Sequence, residues 1–241
     1  MYSIESRVRY SEVNSEKRLT LPALLDYLQD CCTFQSEDLE IGVDFLAEKK
    51  AAWVLLSWQI EILRYPQMAE KIKISTWPYD FKGFYGYRNF QIEDEAGAVI
   101  AKANSVWVFM DMAKMRPARI LEQVADRYRN LLLPQLPGEW ADRKMTVPTD
   151  GEKKEPVQVA RFHIDTNHHM NNGKYILVAE EYLPEGFEVG SLRAEYKNAA
   201  VLGDVLHPVV CIQTDAVTVV LDDGAGRIYA IVEFRRKKTA E

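Results

Sequence analysis

Residues 3–10, SIESRVRY, alternate apolar and polar positions with the period of two expected of a half-buried strand. From 19 to 43 the period lengthens, and Leu21, Leu24, Leu25, Leu28 and Cys32 recur at helical spacing. Strand-like runs follow at 52–63, 70–77, 84–93 and 98–110, broken by Pro, Gly and acidic turn residues. The second half repeats this order. A strand is expected at 156–164, then a helix from about 172 to 183 with Tyr175, Val178, Ala179 and Tyr182 on one face. Strands are expected near 187–198, 204–213, 216–222 and 227–236.

The plan is therefore strand, helix, antiparallel sheet, twice over. A register lays EVNSEKRLTLP (12–22) over HIDTNHHMNNG (163–173), so that Asn14 faces Asp165 and Leu19 faces Met170. Further along, Glu61 faces Glu195 and Glu70 faces Asp204. A long helix wrapped by a curled antiparallel sheet describes the hotdog fold, so the expected class is α+β, a double hotdog of two tandem repeats. The expected boundaries are 1–112 for the N-terminal repeat, 113–154 for a linker set off by Pro117, Pro134, Pro137, Pro148 and Pro156, and 155–241 for the C-terminal repeat.

Composition narrows the class without naming a function. The chain has 241 residues, 47% hydrophobic and 27% charged, which excludes a disordered or fibrous protein. No run of eighteen apolar residues occurs and the N-terminus already alternates like a strand, so a soluble intracellular chain without targeting segment or membrane span is expected. A net charge of −6 argues against general nucleic-acid binding, which needs a basic stripe to neutralise phosphates. Cys31, Cys32 and Cys211 are odd in number, have no metal-ligand spacing and include an adjacent pair ill suited to a disulfide; reduced, buried thiols are expected.

The two copies differ most in polar chemistry just before the helix. The second has Asp165, Asn167, His168, His169, Asn171 and Asn172 where the first has Asn14, Glu16, Lys17, Arg18, Thr20 and Leu21. His163, His168 and His169, three of the four histidines, fall within seven residues. If the segment is extended, Asp165, Asn167 and His169 alternate onto one side and bring a carboxylate, an amide and an imidazole together. The imidazole titrates near neutrality, and the carboxylate can orient it or activate water. Asn171 or Asn172 would cap the helix, whose N-terminal N–H groups favour developing negative charge.

Caps and turns alone would account for Asp165, Asn171 and Asn172, but not for Asn167 and His169. Metal binding through His163, His168, His169 and Asp165 is a weaker reading, because these spacings match no familiar zinc pattern. No metal or cofactor is called for. A cysteine nucleophile is disfavoured too, since no Cys lies near the histidines in this register.

DTNHHMNNGKYI (165–176) resembles the DxNxHxNNxKY signature of acyl-acyl carrier protein thioesterases of the FatA and FatB type. LLDYLQDC in the first helix, WVLLSWQIEILRYP (53–66), STWP (75–78), SVWVFMD (105–111) and LRAEYKN (192–198) extend the resemblance over nearly the whole chain. The resemblance implies an acyl-[acyl-carrier-protein] thioesterase that releases free fatty acid from carrier-protein phosphopantetheine. It assigns Asp165, Asn167 and His169 to the catalytic set and the catalytic residues to the C-terminal repeat, leaving the N-terminal repeat structural. Asn171 and Asn172 are expected at the substrate, and Trp53 and Trp107 as core or acyl-pocket lining.

One departure matters. Plant members carry a Glu-Cys pair shortly after an EYRR segment, and EYKN (195–198) is followed here by Ala199 and Ala200. A Cys-His mechanism is thereby ruled out, and attack by water or by Asp165 gains weight. The expected partner is acyl carrier protein, with Lys114, Arg116 and Arg119, or Arg235, Arg236, Lys237 and Lys238, available to dock its acidic surface. Glu181 resembles a family glutamate, although a solvated helix face is its default reading. A bacterial, cytoplasmic member is expected, with a homodimer left open. The rival functions are an acyl-coenzyme A thioesterase and a non-catalytic acyl-binding hotdog.

Overall fold

The structure, a computed structural model, describes residues 1–237. The chain divides into two compact units, Met1–Leu56 with Leu63–Trp140, and Ser57–Ile62 with Ala141 onward. In the first, β1 (Tyr2–Arg7), α1 (Leu21–Asp38), α2 (Val43–Glu48), β2 (Ala51–Ile62), β3 (Lys71–Lys82), β4 (Tyr85–Asp94), β5 (Val99–Asp111), β6 (Arg116–Pro117) and α3 (Glu122–Arg129) follow in order, β2 giving its last residues to the second unit. The sheet runs β1-β3-β4-β5-β2, with antiparallel registers such as Ile4 opposite Ile74 and Phe90 opposite Ala103.

The long helix α1 forms because Thr20 caps it, its hydroxyl accepting the Ala23 N–H, and Pro22 sits in the first turn where no N–H is missed. Leu21, Leu24, Leu25, Leu28 and Cys31 point into the core, each leucine contributing about 1.5–3 kcal/mol by leaving water. The helix expected over 19–43 stops at Asp38. Glu40 takes a left-handed conformation (φ 59°), and the Ile41 N–H turns back to the Ser36 carbonyl at 3.0 Å, which ends the helical ladder before α2 begins.

The second unit holds β7 (Glu152–Lys153), β8 (Val157–Gln158), α4 (Asn172–Glu180), β9 (Val189–Tyr196), β10 (Val205–Ile212), β11 (Ala216–Asp222) and β12 (Ile228–Arg236). Its sheet runs β9-β12-β11-β10-β7, all antiparallel, with Ser57–Glu61 of β2 paired to β9 on the other side. The strand expected over 156–164 is cut to Val157–Gln158, because Arg161–His163 coil into a 3-10 turn. Helix α4 ends at Glu180, shortly before Pro184, whose ring disfavours helical backbone at Leu183. Each unit is thus a helix against a curled antiparallel sheet, and the chain is an α+β double hotdog.

Residues 113–154 fall partly in each unit. Their helix α3 packs Val124 and Tyr128 against Ile41, Leu46, Ala51 and Phe109 of the first.

Candidate active site

Asp165 to His169 form a tight turn, closed by an antiparallel bridge between Ile164 and Met170. The Asp165 N–H donates to the His169 carbonyl at 2.8 Å, and the His168 N–H to the Asp165 carbonyl at 3.1 Å. Asp165 Oδ1 accepts the Asn167 N–H at 2.8 Å and the His169 N–H at 3.4 Å. This corrects the extended geometry expected for residues 165, 167 and 169. The carboxylate competes for local N–H groups and folds the chain back, while His168 absorbs the reversal with φ 60°.

The first unit contains the same turn in the register expected from sequence. Asn14 N–H donates to Arg18 C=O at 2.9 Å, Lys17 N–H to Asn14 C=O at 3.0 Å, and Asn14 Oδ1 accepts the Glu16 and Arg18 N–H groups at 3.0 Å each. Lys17, opposite His168, is left-handed with φ 61°. An Asx side chain at 14 or 165 is therefore all this turn requires. Among the described residues, Asp165 Oδ2, the Asn167 amide and both ring nitrogens of His169 accept or donate no hydrogen bond within the protein. Three polar groups are thus left uncommitted on a turn that folds without them, with Asp165 and His169 half-buried and Asn167 exposed.

Helix α4 begins directly after the turn. Asn171 is its cap, Oδ1 accepting the Gly173 N–H at 2.8 Å, and Asn172 is its first residue. His163 is structural: it is buried, and its Nδ1 accepts the Ala160 N–H at 3.0 Å, as Glu12 Oε2 accepts the Arg9 N–H at 2.8 Å in the first unit. Burial, with Lys174 nearby, holds its pKa below the usual histidine value. The clustering of histidines therefore mixes one structural member with two on the turn.

The alanine pair lies beside the turn. The Met170 N–H donates to the Ala200 carbonyl at 2.8 Å, and the Ala200 N–H to the Tyr175 hydroxyl at 2.8 Å. Tyr175, legible in the sequence only as an apolar helix position, is thus the post that fixes this loop. Burial pushes its pKa to about 12, so it stays neutral. Its hydroxyl partner is a backbone group, which leaves no trace in periodicity.

Other expected positions belong to other elements. Trp53 and Trp107 belong to the first unit: Trp53 lies edge-on to Phe109 with centroids 4.9 Å apart, and Trp107 Nε1 donates to Ser105 Oγ at 2.8 Å. Glu181 is exposed at the end of α4, whereas burial pushes the neighbouring Glu180 up to about 7. Burial also raises all three thiols, Cys31 to about 12. Of the basic clusters, Lys114 pairs with Asp111 at 3.1 Å, Arg235 with Glu233 at 3.0 Å and Lys237 with Glu188 at 3.0 Å; Lys238 lies outside the described residues.

A duplicated hotdog with an Asp–Asn–His turn ahead of one of its helices defines a double-hotdog protein with one equipped and one unequipped repeat. Residues 1–128 match the model of the acyl-ACP thioesterase N-terminal domain and residues 147–218 that of the C-terminal domain, and the chain belongs to the acyl-ACP thioesterase family. It is 24% identical over 228 residues to a palmitoyl-acyl carrier protein thioesterase, chloroplastic, of Gossypium hirsutum, covering 88% of this chain. The match spans little more than half of that relative, 55% of its length. The fold matches an acyl-ACP thioesterase from Bacteroides thetaiotaomicron, with TM-score 0.87 at 22% identity over 98% of this chain and 97% of the other. It likewise matches a 12:0-ACP thioesterase from Umbellularia californica, with TM-score 0.87 at 15% identity over 99% and 97%.

Proposed function

We propose that this chain hydrolyses the thioester between a fatty acyl group and the phosphopantetheine of acyl carrier protein, releasing free fatty acid and holo carrier protein. The observation that carries the reading is the uncommitted carboxylate oxygen, amide and imidazole at Asp165, Asn167 and His169, on a turn whose twin keeps its shape with Asn14, Glu16 and Arg18 in their places. Family membership supplies the thioester as the bond acted on.

In this reading a water held between Asp165 Oδ2 and the His169 ring attacks the thioester carbonyl carbon. One of the two takes its proton, the C–S bond breaks, and the proton passes to the departing sulfur. Asn167 orients the carbonyl through its amide, and the N–H groups at the start of α4 stabilise the oxyanion. Attack by Asp165 itself, followed by hydrolysis of the anhydride, uses the same residues. The raised thiol pKa values support water or Asp165 over a cysteine, since thiolate is scarce in all three. Free thiols also fit the cytoplasm as the place of action. Among the described residues, no helix is long and apolar enough to cross a membrane.

The test is a hydrolysis panel on acyl carrier proteins of varied chain length with the wild type, Asp165→Ala and His169→Ala. Loss of turnover in both variants is expected, and full activity in both would sink the site. Faster hydrolysis of matched acyl-coenzyme A would replace the carrier protein as substrate. Tight acyl binding without any turnover would leave an acyl-binding protein.

A further inference from the structure

The Asp165–His169 turn is bordered by apolar side chains that stand in water. Phe162 is 73% exposed, Leu202 55%, Val201 42% and Val205 38%. Backbone bonds set the two loops that carry them side by side. The Gly203 N–H donates to the Val159 carbonyl at 3.0 Å, the Val159 N–H donates to the Asp204 carbonyl at 2.8 Å, and Val205 lies opposite Gln158 in register. Phe162 follows on the 3-10 turn, and the Met170 N–H ties the end of the Asp165–His169 turn to the Ala200 carbonyl at 2.8 Å.

The loop that bears Val201 and Leu202 is firmly closed. The Val201 N–H donates to the Asp204 carboxylate at 2.9 Å and the Asp204 N–H to the Val201 carbonyl at 3.1 Å, with Gly203 left-handed between them. The twin loop makes the same two bonds, from the Gln67 N–H to the Glu70 carboxylate at 2.9 Å and from the Glu70 N–H to the Gln67 carbonyl at 3.1 Å. Its side chains are different: Gln67, Met68 and Lys71 stand where the second unit has Val201, Leu202 and Val205, and Ser11 stands for Phe162. Met68 is half-buried and the other three are polar. Closing this loop therefore does not call for exposed apolar residues, and the copy beside His169 has four.

We infer that Phe162, Val201, Leu202 and Val205 form a docking tip that enters the acyl boundary of an anionic lipid bilayer beside the Asp165–His169 turn. Contiguous exposed apolar groups on a soluble chain mark a contact surface. A bilayer closes around separate side chains, whereas a folded partner needs a fitted surface of far larger extent. The charges at the tip suit anionic headgroups. Arg161 is exposed next to Phe162, and Lys174 lies near His163, against which the Phe162 ring packs with centroids 4.1 Å apart. The loop's own acid, Asp204, is turned back onto the Val201 N–H and the Tyr229 hydroxyl, the latter at 3.2 Å. The hydrolase reading gives the contact its use, since a free fatty acid released at this turn leaves water for the bilayer by the same apolar transfer. The contact itself is measured without turnover.

The test is flotation of the full chain with vesicles of phosphatidylethanolamine and phosphatidylglycerol. The wild type is expected to float with them. Phe162→Ser and Leu202→Ser should each weaken binding by about tenfold, the loss of one inserted apolar side chain, while Met68→Ser in the twin loop changes it less than about twofold. Arg161→Gln should weaken it by about fivefold, one charge at the surface. Phe162 and Leu202 lie on separate loops, so either variant decides if the other fails to fold by circular dichroism. A wild type that stays with the soluble fraction overturns the tip, as does full binding by both serine variants. A wild-type dimer in sedimentation velocity that Leu202→Ser dissociates, with no vesicle binding, gives the surface to a second copy and likewise overturns it. Vesicle binding by a wild type that hydrolyses no acyl carrier protein thioester overturns the hydrolase reading and leaves the tip standing.

Discussion

Asp165 closes the turn with one oxygen, Oδ1, which accepts two N–H groups, and Oδ2 is the oxygen that the proposed hydrolysis would use. An amide keeps the first role and loses the second. Asp165→Asn should therefore melt within about 0.5 kcal/mol of the wild type while hydrolysis falls on the order of 10²–10⁴-fold. Asp165→Ala should lose the activity and also about 0.5–1.5 kcal/mol of stability, read by thermal denaturation. His163 makes a pH-dependent contribution of its own. Its folded pKa lies below the unfolded value near about 6.5, so the stability it contributes is present above that value and is lost as pH falls through the folded pKa. His163→Gln can still accept the Ala160 N–H without titrating, and its melting temperature should fall less than the wild type's between about pH 7 and 5. None of this division among the three histidines is legible in spacing, because burial and the identity of a hydrogen-bond partner are set by the 3-10 turn.

At the scale of the element, the period of the apolar positions located every long strand and both principal helices, since burial of one face imposes a period of two on a strand and 3.6 on a helix. It missed where α1 stops, because Glu40 at φ 59° is not a residue that announces a left-handed cap as glycine would. It also missed the 3-10 turn at Arg161–His163, which is too short to show a period. Helix α4 ends in a half-buried acid. The Glu180 pKa, raised to about 7 by burial and the neighbouring Glu181, means that the folded state favours the protonated form. Stability is then full below the unfolded value of 4.5 and lost as pH rises through about 7. Replacing it as Glu180→Gln should flatten the decline in melting temperature between about pH 5 and 8, and an unchanged slope would show that burial does not govern this group.

For the whole molecule, duplication supplies an internal control: each feature of the equipped turn can be compared with a twin that carries no candidate chemistry. Asn14→Ala removes the acceptor for two N–H groups of the first turn, so it should cost about 0.5–1.5 kcal/mol of stability and leave kcat unchanged. A fall in kcat as large as that of Asp165→Ala would show that both turns serve the reaction. The order of elements, the repeat register and the identity of the Asp–Asn–His cluster were written in the sequence, because periodicity and residue chemistry are local and survive in one dimension. Only the tertiary structure decided that Asp165, Asn167 and His169 sit on a reversed turn and that Tyr175 fixes Ala200. Each of these depends on a hydrogen bond between backbone or side-chain groups brought together by folding, and backbone groups are the same in every residue, so no sequence pattern records which of them are paired.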